Sequence, residues 1–253
     1  MNNLIRIICL TFLTCLATGG TAMAAPGKAL GTVLITGANR GIGLELASQY
    51  KSRGFQVIGT ARKPEQATEL QALGVRVEAL DVTDSNSVKA LASRLDGIAL
   101  DILINNAGIA GYSAGSFQEF DFDQVMPSFE VNSLGPMRVT QALYKNLASG
   151  SGKKVVQISS IMGSVELNRG GSYGYRASKS ALNILNKSLA IELGPDGFVC
   201  VVLHPGWVRT RMGGESAQLT TQESVTGMVS VIEQLKPASN GRFYDYQGKE
   251  LPW

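Results

Sequence analysis

A tyrosine and a lysine four residues apart, Tyr175 and Lys179, have the residue types and the spacing that acid–base chemistry needs. On a helix, residues four apart lie on the same face, so the phenol and the ammonium would be neighbours. A free tyrosine has a pKa of about 10, and a nearby positive charge favours the phenolate. The pair is therefore predicted to exchange protons closer to neutral pH. The spacing alone is weak evidence, since it arises by chance in about one chain of this size in three or four.

The elements that would position this pair alternate between strands and helices. Short, continuous apolar runs, such as residues 32–36 and 154–159, are typical of strands that are buried on both faces. The remaining predicted strands cover residues 55–60, 75–80, 100–105, 198–203 and 241–246. The predicted helices cover residues 42–53, 64–73, 85–95 after a capping Asp84, 123–147, 175–193 and 221–235. The predicted fold class is α/β: a single doubly wound Rossmann domain with a mostly parallel sheet of seven strands and helices on both faces.

The first predicted strand leads into a glycine-rich loop, Thr36-Gly37-Ala38-Asn39-Arg40-Gly41-Ile42-Gly43. Gly37 allows a sharp turn, Gly41 lets the backbone approach a phosphate, and Gly43 permits close packing of helix on strand. The N-terminus of the helix that follows favours a pyrophosphate. The loop therefore predicts a dinucleotide site beyond the carboxyl ends of the strands.

The spacing of this loop, T-G-x-x-x-G-x-G, resembles that of the short-chain dehydrogenase/reductase family, and the resemblance covers nearly all of the chain after residue 24. The other matching motifs follow in the family's order: Asp81-Val82, Asn105-Asn106-Ala107-Gly108, Asn132, Ser159-Ser160, Tyr175 with Lys179, and Pro205-Gly206 with Val208 and Thr210. Two stretches, Ser160-Ile161-Met162-Gly163-Ser164 and His204-Pro205-Gly206-Trp207-Val208, resemble more narrowly the branch of the C-factor signalling protein and the sniffer-type carbonyl reductases.

The resemblance implies a catalytic set of Asn132, Ser160, Tyr175 and Lys179. Ser160 would hydrogen-bond a substrate carbonyl, and Tyr175 would give that oxygen its proton while a hydride arrives from a nicotinamide. Lys179 would hold the ribose hydroxyls and keep Tyr175 acidic. Asn132 would kink its helix locally and anchor a water that links Lys179 to solvent. The implied reaction is the reduction of an aldehyde or ketone, or, in reverse, the oxidation of an alcohol.

The predicted coenzyme is NADP(H), with NAD as the less favoured alternative. Family members that prefer NAD carry an acidic residue at the end of the second strand, but here that strand ends in Gly59-Thr60-Ala61-Arg62. Arg40 and Arg62 would instead bind a 2′-phosphate, which suits a guanidinium group well. If both are ordinary surface arginines, NAD-dependent alcohol oxidation is the alternative. The predicted coenzyme-binding residues are Gly37, Asn39, Arg40, Gly41, Ile42, Gly43, Arg62, Asp81, Val82, Asn106, Ala107, Gly108, Tyr175, Lys179, Pro205, Gly206, Val208 and Thr210.

Three other residues were considered for a catalytic role: Ser159, Tyr173 and His204. Ser159 competes with Ser160, and only one can serve because neighbours in a strand point to opposite faces. Tyr173 competes with Tyr175 but has no lysine four positions later. The single histidine, His204, lies at a predicted strand end and is expected to be structural.

Residues 1–24 have the features of a signal peptide. Arg6 precedes an apolar run over residues 7–17 that is too short to span a bilayer, and Ala22-Met23-Ala24 forms a small-x-small cleavage site. Export to the periplasm or the exterior is therefore predicted, whereas a translation start at Met23 would leave the protein in the cytoplasm. Because an exported protein meets little free NADPH, the alternative function is a coenzyme-binding signalling protein with little or no turnover.

The length and composition agree with one α/β domain over residues 25–253. The chain has 253 residues, of which 44% are hydrophobic, enough for a buried core. A formal net charge of +3 does not indicate nucleic-acid binding. Only one cysteine, Cys200, lies outside the leader, so no disulfide is predicted, and no metal site is predicted. The expected partner is a small carbonyl or alcohol substrate. The family resemblance implies a homodimer or a homotetramer, and no stable membrane span is predicted.

Overall fold

Seven parallel strands form one sheet. The computed structural model describes residues 29–113 and 116–253, so the predicted signal peptide lies outside the described residues. The strands are β1 (Thr32–Ile35), β2 (Gln56–Ala61), β3 (Arg76–Ala79), β4 (Ile102–Asn105), β5 (Lys154–Ile158), β6 (Val199–His204) and β7 (Phe243–Asp245). Their order across the sheet is β3-β2-β1-β4-β5-β6-β7. The chain reverses its direction of winding after β3, which opens a crevice beyond the carboxyl ends of β1 and β4. The predicted doubly wound α/β class is confirmed, with every strand pairing of this sheet parallel.

Eight α-helices cover the two faces of the sheet in the described part of the chain. They are α1 (Gly41–Ser52), α2 (Thr68–Ala72), α3 (Ser85–Arg94), α4 (Phe122–Phe129), α5 (Gly135–Ala142), α6 (Tyr144–Ser149), α7 (Tyr173–Leu193) and α8 (Thr221–Glu233). Side chains that alternate along each strand divide the core in two. In β1, Val33 and Ile35 pack with α1, α2 and α8, whereas Leu34 packs on the other face with α3, α5, α6 and α7. No helix of the described residues is both long and apolar enough to cross a membrane.

Local chemistry explains where the helices begin and where two predictions were wrong. Asp84 caps α3 as predicted, because its Oδ1 accepts a hydrogen bond from the Asn86 backbone N–H at 2.9 Å. The predicted helix 64–73 is divided into a 3-10 turn (Pro64–Gln66) and α2, because Ala67 has a non-helical backbone between them.

The predicted long helix over residues 123–147 is also broken, into α4, a π-helical turn (Glu130–Leu134), α5 and α6. Pro136 has no N–H to donate to the carbonyl four residues earlier, that of Asn132, which favours a break in the α-helix at this point. The break places Asn132 in the π-helical turn, next to the carboxyl end of β4.

Candidate active site

Ser160 and Tyr175 approach each other because β5 ends beside the first turn of α7. Ser159 and Ser160 point in opposite directions, as their strand-like spacing requires. Ser159 Oγ donates to Asn183 Oδ1 at 2.8 Å, inside the body of α7. The Ser160 hydroxyl faces the Tyr175 phenol and accepts a hydrogen bond from the Met162 backbone N–H at 3.1 Å. The structure therefore brings Ser160, and not Ser159, to the tyrosine.

Gly163 holds the Ser160 segment against α7. A Cβ added at Gly163 would lie 2.8 Å from the backbone carbonyl carbon of Lys179, so only glycine allows this approach. The carbonyl of Gly163 accepts hydrogen bonds from Ser180 Oγ at 2.6 Å and Asn183 Nδ2 at 3.2 Å. The sequence analysis missed Gly163 as a site residue. The sequence pattern that could have identified Gly163 is a glycine three residues after the predicted catalytic serine.

Lys179 is buried beneath Tyr175, with only 5% of its surface exposed. Its Nζ donates to the carbonyl of Ile158, the last residue of β5, at 2.8 Å and lies 5.9 Å from the centre of the Tyr175 ring. Burial lowers the pKa of Lys179 to about 8. The two side chains are neighbours on one helix face, as their spacing predicted.

The direction of the Tyr175 pKa differs from the prediction. Burial raises the pKa of Tyr175 above its ordinary value, and the Ser160 hydroxyl only partly offsets this by lowering it. The physical reason is that Lys179 Nζ approaches the face of the ring and the Ile158 carbonyl, while desolvation of the phenolate dominates. The phenol accordingly keeps its proton at neutral pH.

Asn132 is fully buried in the π-helical turn and bridges three elements. Its Oδ1 accepts from the Ile109 backbone N–H at 2.9 Å, and its Nδ2 donates to the Ile109 carbonyl at 2.9 Å and to Ser178 Oγ at 3.0 Å. The predicted local distortion of the helix is present. A Cβ at Gly108 would lie 3.3 Å from Asn132 Oδ1 and 3.8 Å from Lys179 Nζ, so Gly108 lies close to both of these side chains.

The glycine-rich loop connects β1 to α1 in the form that a phosphate cradle requires. Gly37 and Gly41 have φ angles of 64° and 54°, in the left-handed region that favours glycine. A Cβ at Gly43 would overlap the Gly37 carbonyl oxygen and lie 2.5 Å from Asn106 Nδ2. The remaining predicted loop residues, Asn39, Arg40 and Ile42, lie at or beside the N-terminus of α1, which begins at Gly41.

The segment after β4 is fastened to this loop. Asn106 Nδ2 donates to the carbonyls of Thr36 at 2.9 Å and Gly37 at 3.1 Å. Thr36 Oγ1 accepts from the backbone N–H groups of Asn106 and Ala107, each at 3.0 Å. The predicted residues Asn106, Ala107 and Gly108 therefore form one wall of the crevice, and Thr36 positions them.

Asp81 and Val82 lie just beyond β3, on the other side of β1. Val82 is buried, and a Cβ at Gly135 would lie 2.8 Å from its Cγ2. Burial of Asp81 acts to raise the pKa of its carboxyl, but hydrogen bonds from Thr83 and the charge of Arg62 outweigh it, so that pKa is lowered. Arg62 is exposed directly after β2, within electrostatic reach of Asp81.

The segment after β6 returns across the crevice to the glycine-rich loop. The Pro205 carbonyl accepts from Ser224 Oγ at 2.6 Å, and Gly206 has a φ of 82° with no space for a Cβ beside Leu219. Val208 pairs with Leu219 in an isolated parallel bridge. Thr210 Cγ2 would lie 3.4 Å from a Cβ at Gly41. Thr210 is thus the residue of this segment that reaches the start of α1, whereas Pro205 contacts α8, and Gly206 and Val208 lie against Leu219.

A third arginine, which the sequence analysis did not select, joins Arg40 and Arg62. The pKa of Arg40 is lowered, first by burial and then by the positive charges of Arg211 and Arg62. Thr210 lies near Gly41, and Arg211 follows Thr210 directly. The charge of Arg211 therefore comes within electrostatic reach of Arg40, the residue before Gly41. No feature of the sequence pattern around position 211 indicated that its charge would influence Arg40.

The two other competing residues have different environments from Tyr175. Tyr173 is 43% exposed and packs against Phe117 and Phe120, with ring centres 6.2 and 5.7 Å away. His204 ends β6, and burial lowers its pKa to about 4 while Asp245 acts in the opposite direction. A neutral, half-buried histidine at this place agrees with a structural role.

Known proteins resemble this chain over nearly all of the described region. A sequence model of the short chain dehydrogenase family matches residues 31–220. The C-signal protein of Myxococcus xanthus is 45% identical over 167 residues, which is 66% of this chain and 100% of that protein. Among solved structures, the carbonyl reductase Sniffer of D. melanogaster superposes with a TM-score of 0.83 at 35% identity, covering 88% of this chain and 99% of its own.

A second similar structure is that of a carbonyl reductase with NADPH bound. The NADPH-bound carbonyl reductase from chicken fatty liver superposes with a TM-score of 0.82 at 33% identity, covering 89% of this chain and 100% of its own. The fold, the order of the motifs and these relatives agree. The chain belongs to the short-chain dehydrogenase/reductase family of oxidoreductases, in the branch of the C-signal protein and the sniffer-type carbonyl reductases.

Proposed function

We propose that this protein reduces aldehydes or ketones to alcohols with NADPH, and that Tyr175 is the general acid. The observation that carries the proposal is the convergence of Ser160, Tyr175 and Lys179 at one end of the sheet, next to a glycine-rich cradle. A pure binding protein has no need for a phenol, a hydroxyl and a buried ammonium in this arrangement.

The residues of the crevice fit a dinucleotide. Gly37 and Gly43 allow the loop to pack closely on Ala107 and Asn106, and the loop leads directly into the N-terminus of α1, which favours a phosphate. Arg40 and Arg62 lie beyond β1 and β2 with no acid at the end of β2, which favours the extra phosphate of NADP(H) over the free hydroxyl of NAD. The similarity to an NADPH-bound carbonyl reductase supports the same choice.

The bound nicotinamide would supply the hydride. Ser160 would donate a hydrogen bond to the substrate oxygen, which stabilises the negative charge that develops there. Tyr175 would transfer its phenolic proton to the same oxygen, and its raised pKa keeps that proton available at neutral pH. Lys179, mostly protonated below pH 8, would stabilise the phenolate that remains and hold the ribose hydroxyls. Asn132 would connect Lys179 to solvent through a water molecule.

The proposal is tested by following coenzyme oxidation spectroscopically with the purified protein and a panel of aldehydes, diketones and quinones. NADPH and NADH are offered separately, and each substrate is also tested without enzyme. Turnover with NADPH that exceeds turnover with NADH supports the proposal. Binding of either coenzyme without turnover of any substrate in the panel contradicts it.

The C-signal relative favours a second candidate function, a coenzyme-binding signalling protein with little or no turnover. The two candidates differ in their need for a proton donor. Replacement of Tyr175 by Phe removes the phenolic proton and preserves the ring, so it would abolish reduction but leave a signalling phenotype intact. A strain that carries only this variant, compared with a deletion strain, therefore separates the candidates.

A further inference from the structure

The chain that leaves Ser160 exposes three apolar side chains over residues 161–167, which we call the serine loop. Ile161 and Leu167 are each 38% exposed, and Val165 is 74% exposed. Apolar side chains that face water beside a hydrogen-bonding hydroxyl gain free energy when a bound molecule covers them. The position of the serine loop therefore matters for the apolar part of any substrate whose oxygen reaches Ser160.

The first half of the serine loop is held by α7. The Gly163 N–H donates to the Ser160 carbonyl at 2.9 Å, and the Ser164 N–H donates to the Ile161 carbonyl at 3.1 Å, so the chain makes a tight turn here. The Gly163 carbonyl accepts from Ser180 Oγ of α7 at 2.6 Å. These bonds position Ser160 and Ile161, but they end at Ser164.

The second half of the serine loop is bonded to Trp253. The buried Ser164 hydroxyl donates to the backbone oxygen of Trp253 at 3.2 Å and accepts from the Leu167 N–H at 3.1 Å. The Glu166 N–H donates to the same Trp253 oxygen at 3.1 Å. Val165 and Leu167 therefore lie on a stretch of backbone whose position depends on where Trp253 lies.

The ring of Trp253 is in turn held between β7 and α7. Its centre lies 5.7 Å from that of the Phe243 ring, and Lys187 Nζ lies 5.7 Å above it. Lys187 Nζ also donates to the Gly241 carbonyl at 2.9 Å, just before β7. Buried Leu251 adds a bond from its N–H to the Phe243 carbonyl at 2.8 Å. The indole thus fixes the backbone oxygen that the serine loop binds.

We propose that Trp253 is a positioning residue for the substrate. Its ring, packed on β7 and α7, holds the second half of the serine loop so that Val165 and Leu167 cover the apolar part of a carbonyl substrate. The proposal rests on the proposed reductase function and extends it to specificity. Carbonyl compounds with a large apolar group gain from this contact, whereas a small aldehyde that reaches only Ser160 and Tyr175 does not.

The first test is kinetic and uses the full chain with Trp253→Ala. Two substrates are compared, the smallest aldehyde and the largest apolar carbonyl compound of the panel that the wild type reduces. We expect KM for the large substrate to rise about tenfold, with KM for the small one within about twofold and kcat for both within about threefold. The dissociation constant of NADPH should stay within about twofold, since the variant leaves the crevice unchanged.

Two further variants separate this role from a general loss of packing. Trp253→Phe keeps an aromatic ring against Phe243 and is expected to restore most of the wild-type KM. Tyr144→Ala is the matched control, because Tyr144 is also 38% exposed and its ring lies 5.7 Å from that of Phe198, at the opposite end of β6. It should leave both KM values unchanged.

The second test does not depend on turnover. Amide hydrogen exchange at Glu166 and Leu167 should become at least about tenfold faster in Trp253→Ala and stay at the wild-type rate in Tyr144→Ala. Unchanged exchange at these two amides overturns the positioning by Trp253, whether or not the protein reduces any carbonyl. Faster exchange with an equal rise in KM for both substrates, or with a change in kcat alone, overturns the role in specificity. A wild type that reduces nothing in the panel overturns the reductase function and the substrate role together.

Discussion

The ammonium nitrogen of Lys179 lies 2.8 Å from the carbonyl oxygen of Ile158, the last residue of β5. Ser160 follows two residues after the end of this strand. One backbone segment therefore positions both the Ser160 hydroxyl and the Lys179 ammonium next to Tyr175. Because the ammonium is buried, its proton is held less firmly than in water, and its pKa falls to about 8. Lys179 therefore changes its charge within the pH range of ordinary assays.

This lowered pKa predicts a specific dependence of stability on pH. The unfolded chain retains the lysine proton up to its ordinary pKa of 10.5, whereas the folded protein loses it near pH 8. Between these values the unfolded state binds more protons, so the contribution of Lys179 to the free energy of unfolding rises with pH, by at most about 1.4 kcal/mol per pH unit. Lys179→Met removes this rise, which urea unfolding at several pH values from 7 to 10 would measure.

The control for this experiment is Lys145→Met, at an exposed lysine on α6. It should keep the wild-type dependence on pH. Parallel pH profiles for the wild type and Lys179→Met would show that the buried ammonium does not titrate in this range.

Gly163 is predicted to affect catalysis more than coenzyme binding. In Gly163→Ala the new methyl group would meet the backbone of Lys179, so the Ser160 segment must move away from α7. We expect a loss of about 1–3 kcal/mol in stability and a fall in kcat of tenfold or more, with the dissociation constant of NADPH within twofold of wild type. Steady-state kinetics and coenzyme titration check this, and an unchanged kcat would show that the position of Ser160 is unimportant.

Asn132 is predicted to hold the wall of the crevice. Asn132→Ala would leave the N–H and the carbonyl of Ile109 without their side-chain partner, at a cost of about 1–3 kcal/mol for each buried group that finds no water. Thermal unfolding is the measurement. Ser133→Ala removes a single hydrogen bond, to the Ser178 carbonyl, and serves as the comparison. A smaller loss in Asn132→Ala than in Ser133→Ala would contradict this account.

The choice of coenzyme is tested by the double variant Arg40→Ala with Arg62→Ala. If both guanidinium groups bind the 2′-phosphate, the dissociation constant of NADPH should rise by about a hundredfold, since each charged contact contributes about tenfold. The constant of NADH should change far less. Equal behaviour of the two coenzymes in the wild type and the variant would favour NAD-dependent alcohol oxidation instead.

Much of this arrangement could be predicted from the sequence, because the residues involved belong to local patterns. The spacing of Tyr175 and Lys179 predicted a shared helix face, and the glycine-rich loop predicted the connection between β1 and α1. The apolar runs predicted the buried parallel strands, with boundaries that differ from the observed ones by one or two residues. Each of these features depends on neighbours in the chain, which a sequence pattern records.

The features that the sequence analysis missed depend on contacts between distant segments. The resemblance implied a local kink at Asn132, but the periodicity of residues 123–147 concealed the full division into α4, the π-helical turn, α5 and α6, which involves the missing N–H of Pro136 and the bonds of Asn132 to Ile109. The raised pKa of Tyr175 follows from burial by segments that no spacing reveals. The approach of Arg211 to Arg40 likewise requires the return of the segment after β6 to α1.

The central claim, that Tyr175 donates the proton in a carbonyl reduction, is tested most directly by Tyr175→Phe. The measurement combines NADPH binding with single-turnover oxidation of bound NADPH by a substrate that the wild type reduces. The account predicts binding within a few-fold of wild type and a rate at least a thousandfold lower, since the ring is preserved and only the acid is lost. A variant that binds NADPH and still reduces the substrate within tenfold of the wild-type rate would contradict it.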